Sequence, residues 1–313
     1  MQHPIFSVVM PAYNAAETVC AAIASVLAQT DRDFELILVD DGSTDDTFET
    51  ACRFAQADPR FQAVSQPNQG PAVARNHGIA LAHGIYVAFL DADDRWAPNA
   101  LAVHRKRFAE HPKLGVSFGR VRFFDPAMTK TGRISARRKR IRLADALGEN
   151  PLCTTSNLAA RRVVFDAVGG FDTELRHAED QEWLVRVLAM TDWTAAGVDA
   201  PLVDYRTSPS GLSADLKSMQ AGWERMIACA AAYAPMTVER ERKYATALFD
   251  RYLARRALRT GRSAAEAADY LAQAWRAAGP RLLLADPVRT ILTAAGVAAA
   301  SLLPAASRAI VSR

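Results

Sequence analysis

The sequence predicts an α/β fold, a Rossmann-like and mostly parallel central sheet flanked by helices, followed by a C-terminal helical region. Two observations predict it. Over the first hundred residues, short β-branched or aromatic runs alternate with longer segments whose apolar residues recur at helical spacing, the rhythm of βαβ units. From Leu212 onward the chain is rich in Ala and Arg and helical in character, with breaks at Pro235, Gly261, Gly279 to Pro280 and Pro287. A boundary near residue 210 follows, separating a domain over 1–210 from a helical region over 211–313.

The elements are read in order. Ile5 to Met10, Phe34 to Val39, Phe61 to Ser65 and Ile85 to Leu90 are strands, nearly continuous in apolar character, as strands buried on both faces are. After the first of them, Val19, Ile23, Val26 and Leu27 fall at i, i+4, i+7 and i+8, one stripe able to cover a sheet face. A helix from about Pro98 to Glu110 leads to a strand-like run, Gly115 to Phe124, and then to a basic tract, Arg133 to Arg142. No repeat of the solenoid or propeller kind is visible.

Composition narrows the function. Half of the 313 residues are apolar and 23% are charged, which suits a folded globular chain. A net charge of +4, with no zinc-finger spacing or RNA-binding aromatic motif, argues against nucleic acid and suits a phosphorylated substrate or anionic lipid better. Cys20, Cys52, Cys153 and Cys229 form no C-x-x-C pair and read as buried thiols of a reducing compartment. Met1, His3 and Pro4 lead straight into an apolar strand without the features of a secretory signal, so the expected location is cytoplasmic.

In an open α/β sheet, ligands bind at the carboxyl ends of the strands. The first strand runs into Pro11-Ala12-Tyr13-Asn14, the second into Asp40-Asp41-Gly42-Ser43-Thr44-Asp45, and the fourth into Asp91-Ala92-Asp93-Asp94. Carboxylates crowded on one edge repel unless a cation or hydrogen-bond donors offset them. Asp91 and Asp93 can reach one Mg²⁺ or Mn²⁺ whose other positions stay open to water or phosphate oxygens. The plainer alternative is that these residues cap the next helix; their place at the sheet edge favours the metal. Asp40 to Thr44 reads as a turn with a helix cap, or as a carboxylate for a ribose. No G-x-G-x-x-G follows the first strand, which argues against an NAD site.

The set Ser7-Val8-Val9-Met10-Pro11-Ala12-Tyr13-Asn14, Val39-Asp40-Asp41-Gly42-Ser43-Thr44-Asp45, Asn68-Gln69-Gly70-Pro71-Ala72-Val73-Ala74-Arg75-Asn76 and Phe89-Leu90-Asp91-Ala92-Asp93-Asp94 resembles glycosyltransferase family 2, with its GT-A fold. Gly169-Gly170-Phe171-Asp172, followed by Glu179-Asp180, extends the resemblance to about residue 190. It implies an inverting, metal-dependent transfer from a nucleoside diphosphate sugar, most often a UDP-sugar, to a hydroxyl of a glycan or lipid-linked acceptor. The setting would be bacterial surface polysaccharide or glycolipid synthesis.

The resemblance also implies roles. Pro11, Tyr13 and Asn14 would line the nucleotide pocket, with Asp41 accepting a hydrogen bond from the base. Arg75 would lie near the diphosphate, Asp91 near the ribose or metal, Gly70 and Ala92 would belong to the nucleotide-sugar site, and Asp93 with Asp91 and Asp94 would hold Mn²⁺ or Mg²⁺. Asp180 opens a helix in which Trp183, Leu184 and Val187 follow at i+3, i+4 and i+7. Spacing alone leaves Glu179 and Asp180 equally suited to complementing the helix dipole; the resemblance makes Asp180 the catalytic base. The rival reading is a non-catalytic nucleotide- or glycan-binding module, against which Asp93 and Asp180 speak. A nucleotidyltransferase would need a Gly-rich basic loop after the first strand. The missing Q-x-x-R-W motif and spanning helices favour transfer of single sugars over processive synthesis.

Two further segments carry open readings. The basic tract is a solvated loop or a contact for anionic lipid head groups. Ile291 to Ala306 is apolar but shorter than the ~20 residues of a spanning helix. It is a packed helix or, with Arg281, Arg289, Arg308 and Arg313 around it, an interfacial one. Peripheral contact with the inner face of the cell membrane and homo-oligomerisation are the uses left open to the C-terminal helices.

Overall fold

The computed structural model describes residues 4–129, 131–208 and 215–302. Met1, His3, Leu212, the boundary near 210, and Pro304, Ala306, Arg308 and Arg313 lie outside the described residues. The chain divides into two compact units, Met1–Ile141 with Leu152–Thr207, and Arg142–Pro151 with Ser208–Arg313.

In the first unit, β1 (Phe6–Ala12), β2 (Phe34–Asp40), β3 (Phe61–Ser65) and β4 (Tyr86–Phe89) pair in parallel in the order β3-β2-β1-β4. They are joined by α1 (Val19–Leu27), α2 (Thr47–Ala57) and α3 (Pro71–Leu81). The register sets Ala12 opposite Asp40 and Val9 opposite Phe89, which gathers three strand ends on one edge. Alternate side chains of β1 serve opposite layers. Phe6, Val8 and Met10 join Val19, Ile23 and Val26 of α1 in one core cluster. Val9 faces α3, where Gly78 leaves it room, since a Cβ at that position would strike the Val9 side chain. Each such buried side chain contributes roughly 1.5–3 kcal/mol relative to exposure.

Beyond β4 the sheet becomes mixed. It continues through β8 (Ala159–Arg161), β6 (Leu114–Phe124), β9 (Thr194–Arg206) and β5 (Arg95–Trp96), with β7 (Thr131–Ile134) on β6. β8 runs antiparallel to both neighbours, so β6 and β9 point the same way as β4. Their ends at Phe124 and Arg206 therefore share the edge where β1, β2 and β4 finish. Helices α4 (Ala100–Glu110), α6 (Arg162–Val168) and α7 (Glu179–Met190) complete the layers. An aromatic cluster fixes α6 and α7 under β4: Phe89 meets Phe171 at 5.3 Å and Phe165 at 5.9 Å, and Phe165 stacks on Trp183 at 4.3 Å between ring centroids.

The second unit contains α5 (Leu143–Ala146), α8 (Leu216–Tyr233), α9 (Pro235–Arg259), α10 (Ala264–Ala285) and α11 (Pro287–Leu302). Its breaks fall at the residues that punctuate the sequence. Pro235 and Pro287 open helices, Gly261 turns with φ +73, and α10 kinks at Ala278 just ahead of Pro280. Residues 142–151 group here and not with the sheet. Trp223 Nε1 donates to the Leu147 carbonyl at 2.8 Å, and Glu149 accepts from Arg255 at 2.8 Å and Arg289 at 2.9 Å. The cysteines differ from expectation, since Cys20 and Cys153 are exposed. Among the described residues no helix is long and apolar enough to cross a membrane.

Candidate active site

The ends of β1 and β2 are tied together by short polar contacts. Asn14 adopts φ 46, its Oδ1 accepts from the Thr44 N–H at 2.9 Å, and its own N–H donates to Ser43 Oγ at 2.9 Å. Beside it the Tyr13 ring stands 51% exposed, while Pro11 is buried within β1 opposite Val39. Asp41 is buried and organises the loop after β3. Its Oδ1 accepts from Gln66 Nε2 at 2.8 Å and the Gln69 N–H at 3.0 Å, and its Oδ2 accepts from the Gly70 N–H at 2.7 Å. Of about four acceptor positions on a carboxylate, one on Oδ2 is left. Gly70 takes φ +93 just before α3, a conformation that favours glycine.

The turn after β4 is built with equal economy. Asp94 is 1% exposed and accepts from Ser156 Oγ at 2.6 Å and from the Arg206 N–H at 2.9 Å, so both its oxygens face inward. Ser156 Oγ also accepts from the Asp91 N–H at 3.0 Å, and the Ser156 carbonyl accepts from Trp96 Nε1 at 2.8 Å. Asn157 anchors this brace by bonding both the N–H and carbonyl of Gly119. Ala92 is buried and belongs to the apolar core cluster. The Asp93 carboxylate is half-buried, and Arg206 Nε donates to the Asp93 backbone carbonyl at 3.1 Å.

Arg75 connects this turn to α7. It is 5% exposed, with Nη2 donating to Asp91 at 2.7 Å and Nη1 donating to Glu179 at 2.7 Å. Both terminal nitrogens are thus held by protein carboxylates below the surface. α7 is itself locked in place. Asn76 of α3 grips the backbone N–H and carbonyl of Phe171, each at 2.8 Å, and a Cβ on Gly170 would strike Asn76. Arg186 donates to the Val168 and Gly170 carbonyls, and Trp183 Nε1 donates to the Gly169 carbonyl at 3.0 Å. The first turn of α7 thus holds Glu179, Asp180 and Glu182 at a helix N-terminus, where negative charge is favoured. Asp180 is 6% exposed and its Oδ1 accepts from the Gln181 N–H at 2.7 Å.

Crowding shows in the titration of these groups. Burial, then the neighbouring Asp91, pushes the Asp93 carboxyl up to about 6. Burial, then Asp93 and Asp91, holds Asp94 well above the usual carboxylate range. Burial pushes Glu179 up to about 7, with Arg75 pulling against it and Asp180 pushing with it. Among the described residues no three His, Cys, Asp or Glu side chains form a metal site by themselves. Two hard carboxylates, Asp91 and Asp93, with the remaining positions left to phosphate oxygens and water, are nevertheless the donor set that Mg²⁺ or Mn²⁺ takes when it is shared with a substrate.

The structure therefore brings Asp91, Asp93, Arg75 and Asp180 together, and sets Tyr13, Asn14 and Asp41 at the ends of β1 and β2. β1 separates β2 from β4, so the end of β2 that carries Asp41 lies two strand spacings, roughly 10 Å, from the end of β4, and the end of β1 that carries Tyr13 and Asn14 lies one spacing away. Sequence reasoning missed Ser156, Asn157 and Arg206. The available signal was the uncharged polar run Thr154-Thr155-Ser156-Asn157 directly before the apolar Leu158-Ala159-Ala160.

Comparison with known proteins places this geometry. The model of glycosyl transferase family 2 matches residues 7–169. An uncharacterized glycosyltransferase of Nostoc sp. is 37% identical over 175 residues, which span 53% of this chain and 53% of that protein, so the match covers about half of the relative. Among solved structures, the mannosyltransferase PcManGT from Pyrobaculum calidifontis, in complex with GDP-Man and Mn²⁺, aligns with a TM-score of 0.62 at 21% identity, over 99% of this chain and 86% of its own. S. aureus TarS in complex with UDP-GlcNAc aligns with a TM-score of 0.60 at 17% identity, over 93% and 90%. At these identities the structural likeness establishes the fold.

Proposed function

The chain belongs to glycosyl transferase family 2, and on that premise we propose that it is an inverting, metal-dependent glycosyltransferase moving a sugar from a nucleoside diphosphate sugar to an acceptor hydroxyl. UDP is the proposed nucleotide, and a glycan or lipid-linked saccharide of surface polysaccharide or glycolipid synthesis the proposed acceptor. One observation carries the reading: Arg75 bridges Asp91 and Glu179 at 2.7 Å each, which joins the D-x-D turn to the helix start that bears Asp180.

Tyr13 offers its exposed ring to the base, and Asp41 its remaining acceptor position to a ring N–H. Asp93, helped by Asp91, is the group that would hold a divalent cation, and when bound that cation supplies positive charge to the departing diphosphate. The Mn²⁺ and nucleotide sugars of the structural neighbours support this choice. Asp180 takes the proton of the acceptor hydroxyl. The freed oxygen displaces the nucleoside diphosphate from the opposite face of the anomeric carbon, and this single displacement inverts the centre. Arg75 and Glu179 act as positioning residues, keeping Asp91 and the first turn of α7 at fixed separation. Asp94, Ser156 and the Arg206 N–H hold the turn that presents Asp93.

The test is release of nucleoside diphosphate from a panel of UDP-, GDP- and dTDP-sugars with Mn²⁺, Mg²⁺ or chelator. Turnover of at least one donor that chelator abolishes is expected, with the opposite anomeric configuration in the product by NMR. Silence across every donor and metal would return the chain to the nucleotide-binding module.

A further inference from the structure

Helix α11 is built inside out. Its inward face carries Thr290, Thr293, Val297 and Ala300, all buried. Its outward face carries Val288, Ile291 and Leu292, 67%, 57% and 66% exposed, and Leu302, 85% exposed. Ala294, Ala295 and Ala298 are also exposed between them. A helix that only covers a core shows the reverse arrangement. The inward threonines have internal reasons to be there: Thr290 Oγ1 accepts from buried Arg251 at 2.8 Å and donates to the Asp286 carbonyl at 2.7 Å, and Thr293 Oγ1 donates to the Arg289 carbonyl at 2.7 Å. Nothing within the unit explains the leucines outside. Leu283 and Leu284, 40% and 85% exposed, add to the apolar surface at the end of α10.

Charge identifies the occupant. From Trp275 to Arg313 the chain carries five arginines (Arg276, Arg281, Arg289, Arg308 and Arg313) and one acid, Asp286, a net +4. Arg281 and Arg289 pair with Glu241 and Glu149, yet the helical unit, 142–151 with 208–313, carries sixteen Lys and Arg against ten Asp and Glu, a net +6, while the whole chain carries +4. α11 itself has no acidic side chain. The rim of a protein interface mixes polar groups, whereas large apolar side chains turned outward on an acid-free helix of a strongly basic unit are what a helix lying in the plane of an anionic bilayer presents. Among the described residues no helix is long and apolar enough to span.

We propose that the outward face of α11 docks on the surface of a bilayer containing anionic lipid. The inference is independent of the transfer chemistry and adds a location to it. Flotation of the full chain with vesicles of phosphatidylcholine, with or without phosphatidylglycerol, tests it. Strong binding to the anionic vesicles is expected, weakened by salt, and Ile291→Glu with Leu292→Glu lowers it by roughly tenfold or more. The milder pair Ile291→Ser with Leu292→Ser lowers it in the same direction while circular dichroism reports an unchanged fold. Absence of wild-type flotation, or equal flotation of both double variants, overturns the proposal. So does a wild-type dimer in sedimentation that either double variant converts to monomer, because the face then belongs to a second copy.

Discussion

In the helical unit, buried Arg251 has Asp286 at 2.9 Å, and Glu149 is shared by Arg255 and Arg289. At the carboxyl edge of the sheet, Asp91, Asp93, Asp94, Glu179 and Asp180 gather about one buried guanidinium, that of Arg75, with a single N–H and side chain of Arg206 nearby. In the first arrangement every carboxylate has a guanidinium partner within the protein, three arginines facing two acids, and no negative charge is left over. The second gathers more carboxylates than guanidiniums: burial first, and then the like charges of Asp91 on Asp93 and of Asp180 on Glu179, raise the Asp93 and Glu179 carboxyls, and a further cation would offset that charge. Buried charge by itself therefore marks no site; uncompensated charge of one sign at a strand edge does.

This contrast breaks most sharply at Asp180. Asp180→Asn is expected to lower kcat by about 10²–10⁴-fold while leaving the thermal midpoint unchanged or raised, since it removes one of several like charges. A large loss of stability with modest loss of rate would class Asp180 with the structural pairs. Arg251→Ala is the mirror case. It empties a fully buried site and removes the donor to Thr290 and Asp286, the latter still paired with Arg289, and is expected to cost about 2–5 kcal/mol in denaturant unfolding, with kcat of the folded fraction unaltered; a tenfold fall in kcat would erase the distinction between the regions.

Much of this contrast was legible in the residues. β1 to β4 announced themselves because strands buried on both faces are apolar without interruption, and the acidic groups followed directly from where those strands stop. β9 did not, because Gly197 and Pro201 interrupt it and most of its residues are only half-buried. Arg75 reads as a surface residue on its helix, and only the fold shows it beneath Asp91 and Glu179. Ser156 and Asn157 belong to an irregular stretch whose partners are some 60 and 40 residues away, Asp94 at a separation of 62 and Gly119 at 38. Local pattern carries no trace of such pairings. The attachment of 142–151 to the helical unit rests on side-chain contacts of Glu149 and Trp223 that likewise have no period.

Ser156→Ala sharpens the comparison at smaller scale. Removing the hydroxyl that braces both Asp94 and the Asp91 N–H is expected to lower metal-dependent activity by about 10–100-fold, with the apparent Mn²⁺ affinity weakened in parallel and Ser156→Thr partly restoring both. An unchanged metal affinity would confine Ser156 to packing. The mildest effect is that of pH. Asp93 and Glu179 are raised by burial to about 6 and about 7, above their unfolded values. Between roughly pH 4 and 7 the folded chain thus retains protons the unfolded chain has released, and metal-free stability falls as pH rises through that window. Mn²⁺ requires ionised Asp93, so the gain in melting temperature on adding Mn²⁺ is expected to be larger at about pH 8 than at about pH 5; equal gains would remove Asp93 from the metal's surroundings.

The most direct measurement is calorimetric titration of UDP into the wild-type chain and into Asp93→Asn, each with Mn²⁺ and with chelator. Binding of UDP that requires Mn²⁺ in the wild type and is lost in Asp93→Asn is the predicted result. Equal affinity with and without metal, or in both proteins, would contradict the claim that the acidic edge grips a diphosphate through a cation.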